Sequence, residues 1–86
     1  MRKVRKQILL QVLHGNADSN IRFEDLRSLL IALGFAERIK GSHHIYTKSE
    51  VAEILNLRPR GSFAKPYQVK QVRNVIVRYK LGERAE

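Results

Sequence analysis

Cysteine is absent from this 86-residue chain, and acidic residues are scarce, 8 against 17 lysines and arginines. Without cysteine there can be no disulfide framework and no thiolate metal site, and the lack leaves the compartment open. Long apolar runs are missing too. Ile8-Leu9-Leu10 is broken by Gln11, so nothing approaches the length needed to span a bilayer. No small-residue cleavage site follows the basic start Met1-Arg2-Lys3-Val4-Arg5-Lys6, so no signal peptide is expected and the reading is cytoplasmic. A metal centre is not expected either: the histidines have no third ligand at useful spacing, and Glu50 and Glu53 should face opposite ways on a strand. No Gly-rich phosphate loop is present, and no cofactor is implied.

The chain does carry a formal net charge of +9 and a 43% hydrophobic fraction. The length predicts one domain, residues 1–86, with a thin core. The charge favours a polyanionic partner through counterion release and steering. The basic residues are spread over several elements and do not form one amphipathic helix, so nucleic acid is preferred to a membrane surface.

Apolar residues at 4, 8, 9, 12 and 13 predict a short amphipathic helix over residues 3–14, ended by Gly15. The alternative for this helix is an N-terminal arm that docks only in an assembly. His14 then supplies a favourable charge at its C-terminal end. Phe23, Leu26, Leu29, Leu30 and Leu33 mark one face of a second helix, with Glu24 and Asp25 in its first turn and Gly34 as its stop. Ile21-Arg22 offers no short polar cap for it.

Three alternating runs follow: Phe35 to Lys40, His43 to Lys48, and Val51 to Leu57, joined by Gly41-Ser42 and Ser49-Glu50. These predict an antiparallel meander. Arg58-Pro59-Arg60-Gly61-Ser62 reads as a basic loop. A last helix should start near Pro66, bury Val69, Val72, Val75, Ile76 and Tyr79, and stop at Gly82, with residues 83–86 a frayed tail. The expected fold class is α+β, ordered α-α-β-β-β-α, with helices on one face of a three-stranded antiparallel sheet.

The chemistry concentrates at Lys40-Gly41-Ser42-His43-His44-Ile45-Tyr46. Histidine titrates nearest to neutral pH, and cleaving RNA without a metal needs a base for the 2′-hydroxyl, an acid for the leaving 5′-oxygen and cations for the developing charge. Alternation puts His43 and His44 on opposite faces, so they do not form one base–acid pair unless the strand bulges. Tyr46 and Lys40 are the nearest candidates for the second group. Lys40, Arg58, Arg60, Lys65, Lys70 and Arg73, with Ser42 of the turn, form the candidate RNA-binding set. The bland alternatives are a solvated basic face and one packed and one exposed histidine. Tyr46 and Phe63 are either base-stacking residues or core.

These residues resemble the HicA toxins, small messenger-RNA-cleaving ribonucleases of bacterial and archaeal toxin–antitoxin pairs. The resemblance covers residues 22–81 and rests on Leu33-Gly34-Phe35 followed by Arg38-Ile39-Lys40-Gly41-Ser42-His43-His44-Ile45-Tyr46. It implies a fold like the double-stranded-RNA-binding domain, helix, three strands, helix, and a HicB-like antitoxin partner that covers the active site. It also implies that the essential histidine is His43 or, as in some members, His44. In double-stranded-RNA-binding domains the start of the last helix sits against phosphates, a use that Lys65 and Lys70 resemble. The chain departs from the pattern in two places. Leu57-Arg58-Pro59-Arg60-Gly61 lacks the histidine that often follows the third strand, and residues 3–14 add an N-terminal helix. Two other functions remain open: a non-catalytic RNA-binding module of the same fold, and a protein-interaction domain whose charge serves an acidic partner.

Overall fold

The second helix has no polar side chain to cap its first amides, so the backbone supplies the cap. The computed structural model describes residues 2–83; Met1, residues 84–86 and the side chains of residues 2–5 and 83 lie outside it, and with them most of the expected tail and the Val4 position. Helix α1 covers Arg2–His14, α2 Phe23–Ala32 and α3 Pro66–Tyr79, with single 3-10 turns at Asp18–Asn20 and Leu81–Glu83. Strands β1 (Ala36–Lys40), β2 (His43–Thr47) and β3 (Leu55–Leu57) form an antiparallel sheet in that order. Strands β4 (Pro59–Arg60) and β5 (Phe63–Ala64) form a separate hairpin. The described residues therefore make a small α+β domain of three helices and a three-stranded antiparallel sheet.

At the start of α2, Phe23 N–H donates to the Ser62 carbonyl at 3.0 Å, and Ala64 N–H donates to the Ile21 carbonyl at 2.8 Å. The β4–β5 hairpin thus satisfies groups that Arg22 cannot. At the other end Gly34 has φ 98°. Its N–H donates to Ile31 and that of Phe35 to Leu30, each at 3.0 Å, the paired bonds of a Schellman stop. Gly41, with φ 62°, opens the two-residue β1–β2 turn, the position where a type II′ hairpin requires glycine.

Tyr46, Leu55 and Leu57 project from the sheet into a core completed by Leu26, Leu29 and Leu30 of α2 and Val69, Val72 and Ile76 of α3. Helix α1 is part of this core and not a detached arm, since Leu9 and Val12 are buried in it. No helix among the described residues is long and apolar enough to cross a membrane.

Three expected boundaries move. The third strand begins at Leu55, not Val51, because Glu50 turns the chain at φ 71°. Residues 52 and 53 are then held by α3: Ala52 N–H donates to the Tyr79 hydroxyl at 3.2 Å, and that hydroxyl donates to Glu53 at 2.7 Å. Neither Glu50 nor Glu53 lies on a strand. The expected basic loop at 58–62 carries the β4–β5 hairpin, whose Gly61-Ser62 turn repeats the Gly41-Ser42 chemistry with φ 60° at Gly61. Helix α3 stops at Tyr79, with Lys80 in the left-handed region at φ 56°, while Gly82 lies in the 3-10 turn beyond.

Between β3 and β4 the backbone of Arg58 is served by a side chain. The buried amide of Gln68, in the orientation that satisfies both its ends, donates to the Arg58 carbonyl at 2.9 Å and accepts from its N–H at 3.1 Å. Leaving those groups unpaired costs about 1–3 kcal/mol. Gln68→Ala should lower stability by about 2 kcal/mol, and Gln68→Leu, which restores volume without hydrogen bonds, should lower it nearly as much. Urea denaturation measures both; full stability in the leucine variant would contradict the hydrogen-bonding role.

Candidate functional site

Pairing in the sheet sorts the side chains onto two faces. Arg38 stands opposite Ile45, Lys40 opposite His43, and Ile45 opposite Asn56. Together with Ala36 and Thr47 these make the outer face, and its members are exposed except for the half-buried Ile45. Side chains directly opposite or diagonal on one face are within reach of each other. Here the diagonal pair closes: His43 Nδ1 lies 3.0 Å from Asn56 Oδ1. A carbonyl oxygen only accepts, so Nδ1 carries the proton in this bond. In the neutral ring the lone pair is then on Nε2. Such an imidazole is oriented and in the tautomer a general base requires.

The inner face holds the second histidine. His44 packs edge-on against Phe23, ring centroids 4.9 Å apart, and its Nδ1 is buried without a hydrogen bond, 3.8 Å from Glu37 Oε2. That carboxylate is already engaged. Arg27 donates to it through Nε at 2.6 Å and Nη2 at 2.8 Å, and the Tyr46 hydroxyl donates at 2.6 Å. The Arg27 hydrogen bonds hold the Glu37 carboxyl down at about 2. Burial, reinforced by the hydrogen bond to Glu37, pushes the Tyr46 hydroxyl well above its ordinary range. Tyr46 is fully buried and commits its proton to Glu37. It is neither a base-stacking residue nor an acid for the outer face. His44 borders a cavity of about 210 Å³ that Arg22, Pro59 and Ser62 also line.

The other candidate residues belong to the turn and hairpin at one end of the sheet or to α3. Lys40 and Ser42 flank His43 across the hairpin turn; Arg58, one residue past β3, and Arg60 on β4 continue from the same end of the sheet, and all four are exposed. Among the described residues none of Arg38, Lys40, Arg58 and Arg60 is paired with a carboxylate. Lys70 is exposed on α3, which packs against the inner face. Lys65 caps α3 and sets its ammonium 5.9 Å from the Tyr67 ring centroid. Arg73 is tied inward. It bonds Asp18 at 2.9 and 3.1 Å and the Val12 carbonyl at 3.0 Å, pinning the turn after α1 to α3. The structure thus groups His43 with Lys40, Ser42, Arg58 and Arg60 and commits Arg73 to Asp18, while Lys65 and Lys70 belong to the start of α3, whose Gln68 reaches the Arg58 backbone.

Two members of this face were missed by sequence reasoning. Arg38 stands in an alternating run and in the motif of the resemblance, with no binding role expected of it. Asn56 sits between Leu55 and Leu57, a polar residue inside an apolar strand, and that contrast was the available signal. No protein-family model, curated protein or solved structure matches the chain, so the functional reading rests on these residues.

The Glu37 cluster has a pH signature. Its carboxyl is held at about 2 against an ordinary 4.5, so the unfolded chain takes up the proton first as acid is added. The stabilisation is complete above roughly pH 5 and is lost as pH falls through about 2. Glu37→Gln should be less stable than the parent by about 2 kcal/mol at neutral pH, with the gap closing towards pH 2. Denaturant titrations at several pH values test this, and a gap independent of pH would contradict it.

Proposed function

We propose that this domain is a metal-independent endoribonuclease that cleaves messenger RNA, with His43 as its general base. The observation that carries the reading is the Asn56-oriented imidazole of His43 on an exposed face beside Lys40. In the proposed reaction His43 Nε2 takes the proton of a ribose 2′-hydroxyl, the 2′-oxygen attacks the adjacent phosphorus, and the bond to the 5′-oxygen breaks. Lys40, Arg38 and the neighbouring Arg58 offset the charge that builds on the phosphate oxygens. Lys40 is also the nearest group on that face that can return a proton to the leaving oxygen.

The net charge of +9 supports a polyanionic substrate. The resemblance to HicA toxins supports messenger RNA as the target, a dsRBD-like arrangement of the core, and a HicB-like antitoxin partner that covers the His43 face. A second reading follows from the make-up of that face. Its titratable groups are one imidazole and otherwise only lysine and arginine, which suits a module that binds RNA without cutting it.

Cleavage assays in EDTA with separate variants decide between the two. His43→Ala should lose at least about 100-fold in rate while keeping RNA affinity, the size of a missing general base. Asn56→Ala, which frees the ring, should lose roughly 10–100-fold. His44→Ala, where it remains folded by circular dichroism, should still cut. Unchanged cleavage by His43→Ala would remove His43 from the mechanism. RNA binding with no cleavage by the parent protein would leave the binding module.

A further inference from the structure

A groove of about 720 Å³ runs between α1, the start of α2 and β5, within the size range of ligand pockets. Its floor is the Phe63 ring, 38% exposed, with the Arg22 guanidinium 5.6 Å from the ring centroid. The pair is held by the backbone: Arg22 and Phe63 are bridge partners, flanked by the Phe23-to-Ser62 and Ala64-to-Ile21 hydrogen bonds. Around it stand Gln7 and Gln11 of α1, Asn20 of the 3-10 turn and Asp25 of α2. Among the described residues none of these four side chains, nor that of Arg22, makes a hydrogen bond within the protein. Arg22 and Asp25 are three apart, a spacing that allows a helical ion pair, yet the guanidinium lies on the ring and leaves the carboxylate free.

A rigid aromatic–guanidinium platform rimmed by unused amides and a carboxylate has the chemistry that recognises an unpaired base. The flat π-surface of the base stacks on the platform, and its edge bonds to the rim. We propose that this groove binds a nucleobase carrying an exocyclic amino group, in a single-stranded stretch of the RNA substrate. The inference rests on the proposed RNA substrate and adds a specificity site to it. Asp25 only accepts hydrogen bonds, so an exocyclic amine, which adenine, cytosine and guanine carry, suits it. Uracil offers only its N3–H, and the carbonyl oxygens on either side of that donor repel the carboxylate. Amides such as Gln7, Gln11 and Asn20 suit the paired donor and acceptor of an adenine edge. Arg22 lines both this groove and the cavity that His44 borders, which sets the groove near the His43–His44 end of β2.

Fluorescence anisotropy with short labelled oligomers of adenosine, cytidine or uridine tests the proposal. The parent protein should bind adenosine and cytidine oligomers at least about fivefold more tightly than uridine oligomers. Phe63→Leu keeps an apolar side chain over the start of α2 but removes the ring. It should weaken adenosine and cytidine binding by about 5–100-fold, the size of one lost stacking contact. Asp25→Asn should narrow the preference over uridine, and His43→Ala should leave it intact. Equal, salt-sensitive binding of all three oligomers by the parent protein would overturn the base site while leaving the RNA reading in place. Binding to none of them would overturn both. Unchanged affinities in a folded Phe63→Leu protein would overturn the platform.

Discussion

Tyr46 decides which of the two histidines faces solvent. Its ring is fully buried in the core and its hydroxyl donates to Glu37, which Arg27 grips in turn from α2. Side chains alternate along a strand, so burying Tyr46 sends His44 inward beside Phe23 and His43 outward. A slip of one residue would exchange the two histidines, but it would also expose Tyr46 and break the bonds to Glu37. One hydroxyl–carboxylate–guanidinium cluster, with Tyr46 buried and Glu37 and Arg27 half-buried, therefore sets the strand register. The register selects the solvent-facing imidazole, and Asn56 on the next strand orients it.

The excess of positive charge is distributed unevenly. Arg27, Arg73 and Arg78 each have a carboxylate partner, and these pairs join α2 to β1, α3 to the turn after α1, and α3 to the segment before β3. The cations left without such partners near His43 stand around the β1–β2 turn and the β4–β5 hairpin. Like charges held together oppose folding and favour an anionic ligand by the same physics. Pairing these three arginines leaves the cations around His43 among the uncompensated charges that a polyanion can neutralise. The hairpin serves both ends of this arrangement, because it caps α2 through Ser62 and carries Arg60 and Phe63 at the surface.

Much of this frame was legible in the residues. The spacing of Phe23, Leu26, Leu29 and Leu30, and the stop at Gly34, located α2 because helical periodicity and a left-handed glycine are local signals. Gly41-Ser42 located the first hairpin for the same reason. Contacts between distant residues were not legible. Asn56 meets His43 across 13 positions, and that meeting depends on the length of the connection that precedes β3. Gln68 looks like a surface residue at the start of α3 until the Arg58 backbone is seen to need it. Arg73 reads as a free cation because Asp18 lies 55 positions away. The β4–β5 hairpin was hidden by Pro59 and the flanking arginines, although its Gly61-Ser62 turn repeats a signal already recognised in the chain.

The claim at the centre is that an oriented imidazole on the outer sheet face activates a ribose 2′-hydroxyl. The most direct measurement is an analysis of the ends left when the purified protein cuts an oligoribonucleotide, beside the same sequence made as 2′-deoxy. A 2′,3′-cyclic phosphate and a free 5′-hydroxyl are expected on the RNA fragments, with no cutting of the deoxy strand. Fragments ending in a 3′-hydroxyl and a 5′-phosphate, or equal cleavage of the deoxy strand, would contradict the claim.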